Sequence, residues 1–141
     1  MSSDTAFVRI GRPAAEVFEF IADPEKLSLW SFGTWRIEID ETGLIRGTSI
    51  KDGSITHVRI IARRDLNLAD YLVGTDPDHL TPRIFIRVAE GATFGGKDNE
   101  SALMMTALRT DGMDDERWAT LKTTHRSEEH TSELQSRSDL V

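Results

Sequence analysis

The side chains that could do acid–base or metal chemistry in this chain are few and scattered. His57, His79 and His125 lie in segments of unlike pattern, whereas a metal site needs several ligands that converge. His125 is the strongest candidate, because it follows Trp118 and Leu121 on one helical stripe and could donate to a ligand or act as acid or base. The alternative is a histidine near the last carbonyls of a helix, or one packed in the core.

A second polar candidate lies within the segment LADYLVG. Strand alternation sends Asp70 and Tyr71 to opposite faces. If the face of Asp70 lines an apolar cavity, its carboxylate needs a partner or a raised pKa, and Arg59 is an available partner. The alternative places Arg59 on the solvated face and Val58 and Ile60 inward, because buried charges are rare unless paired.

Residues 91–98, GATFGGKD, have the glycine and lysine spacing of a phosphate-binding loop. Asp98, however, stands where a Ser or Thr hydroxyl would hold magnesium, and its carboxylate would repel phosphate. The next segment also alternates like a strand, while the motif requires a helix N-terminus. The sequence therefore favours an ordinary hairpin loop.

Composition excludes several classes of function. The 141 residues contain no cysteine, which rules out disulfides, thiolate chemistry and cysteine-ligated metals. A formal charge of −7 without a basic run argues against nucleic acid or an anionic membrane as partner. We see no signal peptide, no membrane-spanning segment and no cofactor motif, and expect a cytoplasmic protein.

Residues 126–141 differ in kind from the rest of the chain. The string RSEEHTSELQS has no apolar stripe of helical or strand period, and it matches the translated read-through of a common sequencing adapter. We therefore expect a domain over residues 4–125 followed by a non-native tail. His130 in that tail is not read as part of a metal site.

The remaining pattern alternates between one helical segment and many strands. Ala14, Val17, Phe18 and Ile21 form one face of an amphipathic helix after a first short strand. A second short helix is expected after Asp23. Segments of period two, separated by hairpin-length turns, then predict an antiparallel sheet, and residues 114–125 predict a C-terminal helix.

With this order of elements, the chain resembles the START-like superfamily, also called SRPBCC, and within it the polyketide cyclase/dehydrase-like branch. The resemblance is carried by VRIGRPAAEVFEFIADPEKLSLW, by the hairpin GTSIKDGS and by DGMDDERWATLKTTH. It implies an α+β helix-grip fold, in which a curved antiparallel sheet of about six to seven strands wraps a C-terminal helix with a cavity between them.

Members of this superfamily bind hydrophobic or amphipathic ligands in that cavity, so the resemblance implies a small hydrophobic or aromatic ligand here. Some members are cyclases, dehydratases or hydrolases; others are carriers, and some assist chaperones. All three functions remain open for this chain, because no shared catalytic motif exists to carry over. The residues expected to contact ligand are Trp30, Arg59, Asp70, Tyr71, Trp118 and His125.

Overall fold

Alternating apolar and polar side chains build a sheet from most of the chain, and one helix lies against it. The structure, a computed structural model, describes residues 3–27, 35–50 and 52–109. Its elements in chain order are β1 (Ser3–Ile10), α1 (Ala14–Ala22), a 3-10 turn (Pro24–Lys26), β2 (Trp35–Ile39), β3 (Ile45–Ser49), β4 (Ile55–Arg63), β5 (Leu68–Gly74), β6 (Thr81–Glu90), a second 3-10 turn (Gly91–Phe94) and β7 (Ser101–Leu108).

The strands form one curved, seven-stranded antiparallel sheet in the order β1-β7-β6-β5-β4-β3-β2. Strands β2 to β7 follow one another by hairpins, and β7 then pairs with β1. Since β1 and β2 are the two edges, the segment joining them must cross from one side of the sheet to the other. This crossing brings α1 over one face, and the predicted α+β class is confirmed.

Helix α1 forms because its apolar residues recur at helical spacing and Pro13 precedes its first turn, where no backbone donor is needed. Its buried side chains are Ala14, Val17, Phe18, Ile21 and Ala22. This is the stripe that the sequence predicts. The stripe packs on β5, β6 and β7, so the helix and the centre of the sheet bury their apolar faces against each other.

Register divides the sheet into two faces, because directly paired residues of antiparallel strands point to the same side. We call the side covered by α1 the inner face and the opposite side the outer face. The inner face holds the fully buried core, which includes Tyr71, Ile86, Val88, Leu103 and Met105, each at most 2% exposed.

Pro82 of the β5–β6 hairpin lies within β6, opposite Leu72. A register shift between Tyr71 and Leu72 marks an irregularity in the ladder at this point. Proline, which has no N–H to donate to a ladder, is tolerated in a sheet at such irregularities.

Three predicted elements lie wholly or partly outside the described residues. The helix expected after Asp23 is described only as far as Leu27, where Asp23 caps the 3-10 turn by accepting from the N–H of Glu25. The C-terminal helix over residues 114–125 and the tail over residues 126–141 lie beyond the last described residue.

Candidate functional site: the inner face of the sheet

The inner face has a buried part and a half-buried part. Beneath α1, side chains from β1, β5, β6 and β7 close the core. Toward β2, β3 and β4 many apolar residues of the inner face are only half buried. We call this second region the apolar wall, formed by Ile37, Ile39, Val58, Ile60, Val73 and Ile84.

The wall is continuous across the strands. Ile39 is paired through buried Ile45 to Val58, and Val58 is paired to Val73. These residues are branched aliphatics, whose stiff side chains suit a pleated surface and define its shape. A half-buried aliphatic surface on the side of the sheet that faces the core can hold an apolar molecule by removing that surface from water.

Tyr71 stands where the wall meets the core. Its side chain is 2% exposed, and it lies between Ile60 and Ile84 on the neighbouring strands. Its hydroxyl donates a hydrogen bond to the backbone carbonyl of Ile21, in the last turn of α1. A helix leaves its final carbonyls without intrahelical donors, so this hydroxyl satisfies one of them and fixes the end of α1 on the sheet.

Polar groups are sparse on this face. Among the described strand residues that the register assigns to the inner face, Asp4 and Glu90, near strand ends, are those with acidic or basic side chains. The buried polar side chain is Ser101, at 0% exposed, and its hydroxyl has no hydrogen-bond partner within the described ranges. The described inner face therefore offers shape and apolar contact rather than an acid–base pair.

Arg59 and Asp70 lie on the outer face. Arg59 is paired with Leu72 and Asp70 with Ile61, while the inner positions beside them belong to Ile60 and Tyr71. The face that carries Asp70 is thus the one turned away from α1. Arg59 donates to the backbone carbonyl of Thr42 at 3.2 Å and approaches its hydroxyl at 3.3 Å. This contact ties β4 to the β2–β3 turn.

The histidines of the described region lie outside the wall. His79 is exposed, and its Nδ1 lies 2.8 Å from a carboxylate oxygen of Asp76. A backbone N–H bond from Asp78 and the contact with His79 lower the pKa of Asp76. His57 lies on the outer face opposite Arg46. Within the described residues, no group of His, Asp and Glu side chains is arranged to hold a metal ion.

The loop that resembles a phosphate-binding motif is closed on itself. The N–H of Gly96 donates to the carbonyl of Gly91 at 2.7 Å, and the Glu100 carboxylate accepts from the N–H of Lys97 at 3.2 Å. That backbone bond is the main cause of the lowered pKa of Glu100. Since strand β7 rather than a helix follows, the loop has no helix N-terminus for a phosphate, and the hairpin interpretation holds.

Trp30, Trp118 and His125, the other predicted contacts, lie outside the described residues. Of the six predicted residues, the structure therefore places only Tyr71 on the inner face, and it separates Tyr71 from Arg59 and Asp70. The wall residues were not singled out from the sequence. The alternation in WRIEI and THVRII was the available signal, because it already assigns Ile37, Val58 and Ile60 to one side.

Solved structures match nearly the whole chain. It is 16% identical to the Zhui aromatase/cyclase from Streptomyces sp. R1128, with a TM-score of 0.70, covering 99% of this chain and 96% of that one. An uncharacterised protein from Bacillus thuringiensis is 15% identical, with a TM-score of 0.71, and the match covers 96% of this chain and 98% of that one. Ara h 8.0201 is 18% identical, with a TM-score of 0.60, and the match covers 97% of this chain and 98% of that one.

These neighbours define the class of fold. At such identities the likeness shows the fold alone: the chain shares the fold of the matched aromatase/cyclase, as the START-like resemblance of its sequence implies. No protein-family model and no curated protein sequence matches the chain. Among the described residues, none of the helices is long and apolar enough to cross a membrane.

Proposed function

We propose that this protein binds a small hydrophobic or aromatic ligand against the apolar wall. The observation that carries the proposal is the half-buried aliphatic surface of Ile37, Val58, Ile60, Val73 and Ile84 on the inner face, next to a fully closed core. The matched aromatase/cyclase, with the same fold, supports the idea that such a face can receive a ring system.

The free energy gained by burying apolar surface is large enough to support ligand binding. Burial of apolar surface contributes about 25 cal/mol per Å², so a ligand that buries about 200 Å² of apolar surface gains about 5 kcal/mol before the costs of association. Branched side chains on neighbouring strands are fixed in position by the sheet, so little conformational entropy is lost when they are covered.

We assign Tyr71 a positioning role within this site. Its hydroxyl is occupied by the carbonyl of Ile21, and it holds the end of α1 beside the wall. Arg59 and Asp70 are left out of the proposed contacts, because their strand positions face the other side of the sheet. Trp30, Trp118 and His125 remain proposed contacts on the basis of the sequence pattern alone.

The sparse polar groups favour a carrier as the second candidate. Cyclase- or dehydratase-like chemistry needs a group that moves a proton, and the described part of the inner face supplies no acid–base pair. Such chemistry would depend on His125. A carrier predicts that the parent protein has no turnover and that His125→Ala changes ligand affinity alone, whereas a catalytic role predicts that His125→Ala loses turnover while binding is retained.

Two neighbouring isoleucines of β4 provide a matched test. Ile60 is on the inner face and Ile61, 38% exposed, is on the outer face. We expect Ile60→Phe to reduce the affinity for 1-anilinonaphthalene-8-sulfonate, and for fatty acids that displace it, by about tenfold. The reason is that the larger phenylalanine ring fills part of the space that the ligand would occupy. Ile61→Phe should leave both affinities unchanged.

Thermal melting of both variants controls for misfolding. If Ile60→Phe and Ile61→Phe bind the dye equally and melt like the parent protein, the wall is not the binding surface. If neither the dye nor any fatty acid binds the parent protein, the proposed function itself is refuted.

A further inference from the structure

The outer face carries a row of side chains that its register aligns across five strands. Arg63 of β4 is paired with Leu68 of β5, Leu68 with Arg87 of β6, Arg87 with Met104 of β7, and Met104 with Phe7 of β1. We call these five residues the outer row. Paired residues share a face, so this row runs straight across the sheet on the side away from α1 and from the apolar wall.

The row is exposed at both ends. Phe7 is 52% exposed, and Leu66, in the turn that joins Arg63 to Leu68, is also 52% exposed. Exposed large apolar side chains on the solvated face of an antiparallel sheet depart from the usual polar alternation. The register aligns Phe7 with half-buried Met104 and Leu68, which makes a stripe rather than scattered single residues.

The two arginines of the row are available for a partner. Both Arg63 and Arg87 are exposed, and neither forms an ion pair or hydrogen bond with any residue that the structure describes. By contrast, Arg9 is paired with Glu100 and Arg64 with Glu19. Arg63 and Arg87 therefore bring two positive charges to a row whose other members are apolar, in a chain of net charge −7.

From this pattern we propose that the outer row docks an acidic amphipathic helix of a partner protein. Arg63 and Arg87 are two strands apart, or about 10 Å at the usual strand spacing. Residues i and i+7 of a helix lie about 10.5 Å apart along its axis. A helix laid across the strands thus places two carboxylates over the arginines and an apolar residue between them over Leu68.

The same placement continues to the end of the row. Met104 and Phe7 lie one and two strands beyond Arg87, so the following turns of the helix should present apolar side chains there. Arginine suits this role because its planar donor group binds carboxylates in bidentate geometry. The net negative charge of the chain opposes approach to a dense polyanion, which favours a helix with a few carboxylates over nucleic acid or an anionic membrane.

The probe is a synthetic helical peptide of about 18 residues, with glutamates at i and i+7 and leucines between and beyond them. We expect the full-length protein to bind it with a dissociation constant below about 1 mM. Arg87→Glu should weaken binding by about tenfold or more, because an attractive contact becomes repulsive. Phe7→Ala should weaken it as well, and raising the salt concentration should weaken the parent protein's binding.

Two controls make the result specific. Arg36→Glu makes the same charge change at an exposed arginine on the outer face of β2, at the opposite edge of the sheet, and should change the affinity by less than about twofold. A peptide with lysines in place of the glutamates should not bind. Dye binding at the inner face should persist in every variant, which shows that the domain is folded.

Several outcomes would overturn the proposal. One is failure of the parent protein to bind the acidic peptide; another is equal binding by Arg87→Glu and the parent protein. Vesicles of phosphatidylcholine and phosphatidylserine are tested in parallel. If they bind the parent protein, and Arg87→Glu abolishes that binding while the peptide does not bind, the outer row is a membrane surface and not a helix-docking site.

Discussion

Replacement of Tyr71 with phenylalanine tests how α1 is held on the sheet. The variant keeps the ring between Ile60 and Ile84 but removes the donor to the carbonyl of Ile21. A buried hydrogen bond contributes about 1 kcal/mol, and a buried acceptor left unsatisfied costs about 1–3 kcal/mol. We therefore expect the free energy of unfolding to fall by about 1–2 kcal/mol, which lowers Tm by about 4–8 °C for a domain of this size.

Urea unfolding followed by circular dichroism measures this change. The midpoint should fall while the slope stays the same, because the surface exposed on unfolding is nearly unaltered. Amide hydrogen exchange should accelerate most in the last turn of α1, where the carbonyl has lost its donor. Tyr71→Ala should cost more, about 3–5 kcal/mol, because it also removes a buried ring.

A matched control comes from an exposed hydroxyl pair. The hydroxyls of Thr5 and Thr106 lie 3.0 Å apart on the outer face, and Thr106→Val removes that contact where water can replace it. Its effect should stay within about 0.5 kcal/mol. If Tyr71→Phe is as stable as the parent protein, or loses no more stability than Thr106→Val, the Tyr71 hydroxyl does not hold α1 on the sheet.

Three further predictions concern turns and the tail. The pKa of Asp40 lies below its ordinary value of 3.8, chiefly because the Thr42 hydroxyl donates to the carboxylate. The stabilisation from ionised Asp40 is therefore present above pH 3.8 and is lost as the pH falls through the lower pKa of the folded state. When Tm is measured against pH, Asp40→Asn should lose less stability on acidification than the parent protein. In Gly91→Ala the new Cβ would lie 1.9 Å from the backbone oxygen of Lys97, and urea unfolding should show a loss of about 1–3 kcal/mol. Deletion of residues 126–141 should leave Tm nearly unchanged, and a large fall in a melting scan would contradict the non-native interpretation.

Most of the strand pattern could be predicted from the sequence, because alternate residues of a half-buried strand point to opposite faces, one apolar and one polar. In THVRII, the charged and histidine side chains alternate with Val58 and Ile60, and the structure places those two on the inner face. The buried stripe of α1 followed in the same way from residues at i, i+3, i+4 and i+7.

The orientation of β5 could not be predicted in this way. Both of its faces are largely apolar, since Leu68 and Leu72 flank Asp70 while Ala69 and Val73 flank Tyr71. Alternation then gives the two sets but not which set faces the core. That choice depends on the helix: Tyr71 finds its acceptor at Ile21, 50 residues earlier in the chain, and no local signal encodes such a contact.

The apolar wall and the outer row also depend on contacts between residues that are far apart in the sequence. Each is assembled from one or two residues per strand, and each becomes a surface only when the register of the sheet is known. A single-strand pattern therefore identified individual inward residues such as Ile60 but not the surface they form. Arg63 and Arg87 are 24 positions apart in the sequence and are aligned only because each is paired with Leu68 on the strand between them.

Native mass spectrometry of the protein purified from cells shows whether a small molecule is bound at the inner face. We expect a reproducible small molecule bound to the parent protein and to Ile61→Phe, and a marked loss of that molecule from Ile60→Phe. Its fragmentation would also identify the chemical class of the ligand. A molecule that remains bound equally in Ile60→Phe, with the variant folded, would contradict the assignment of the binding site to the inner face.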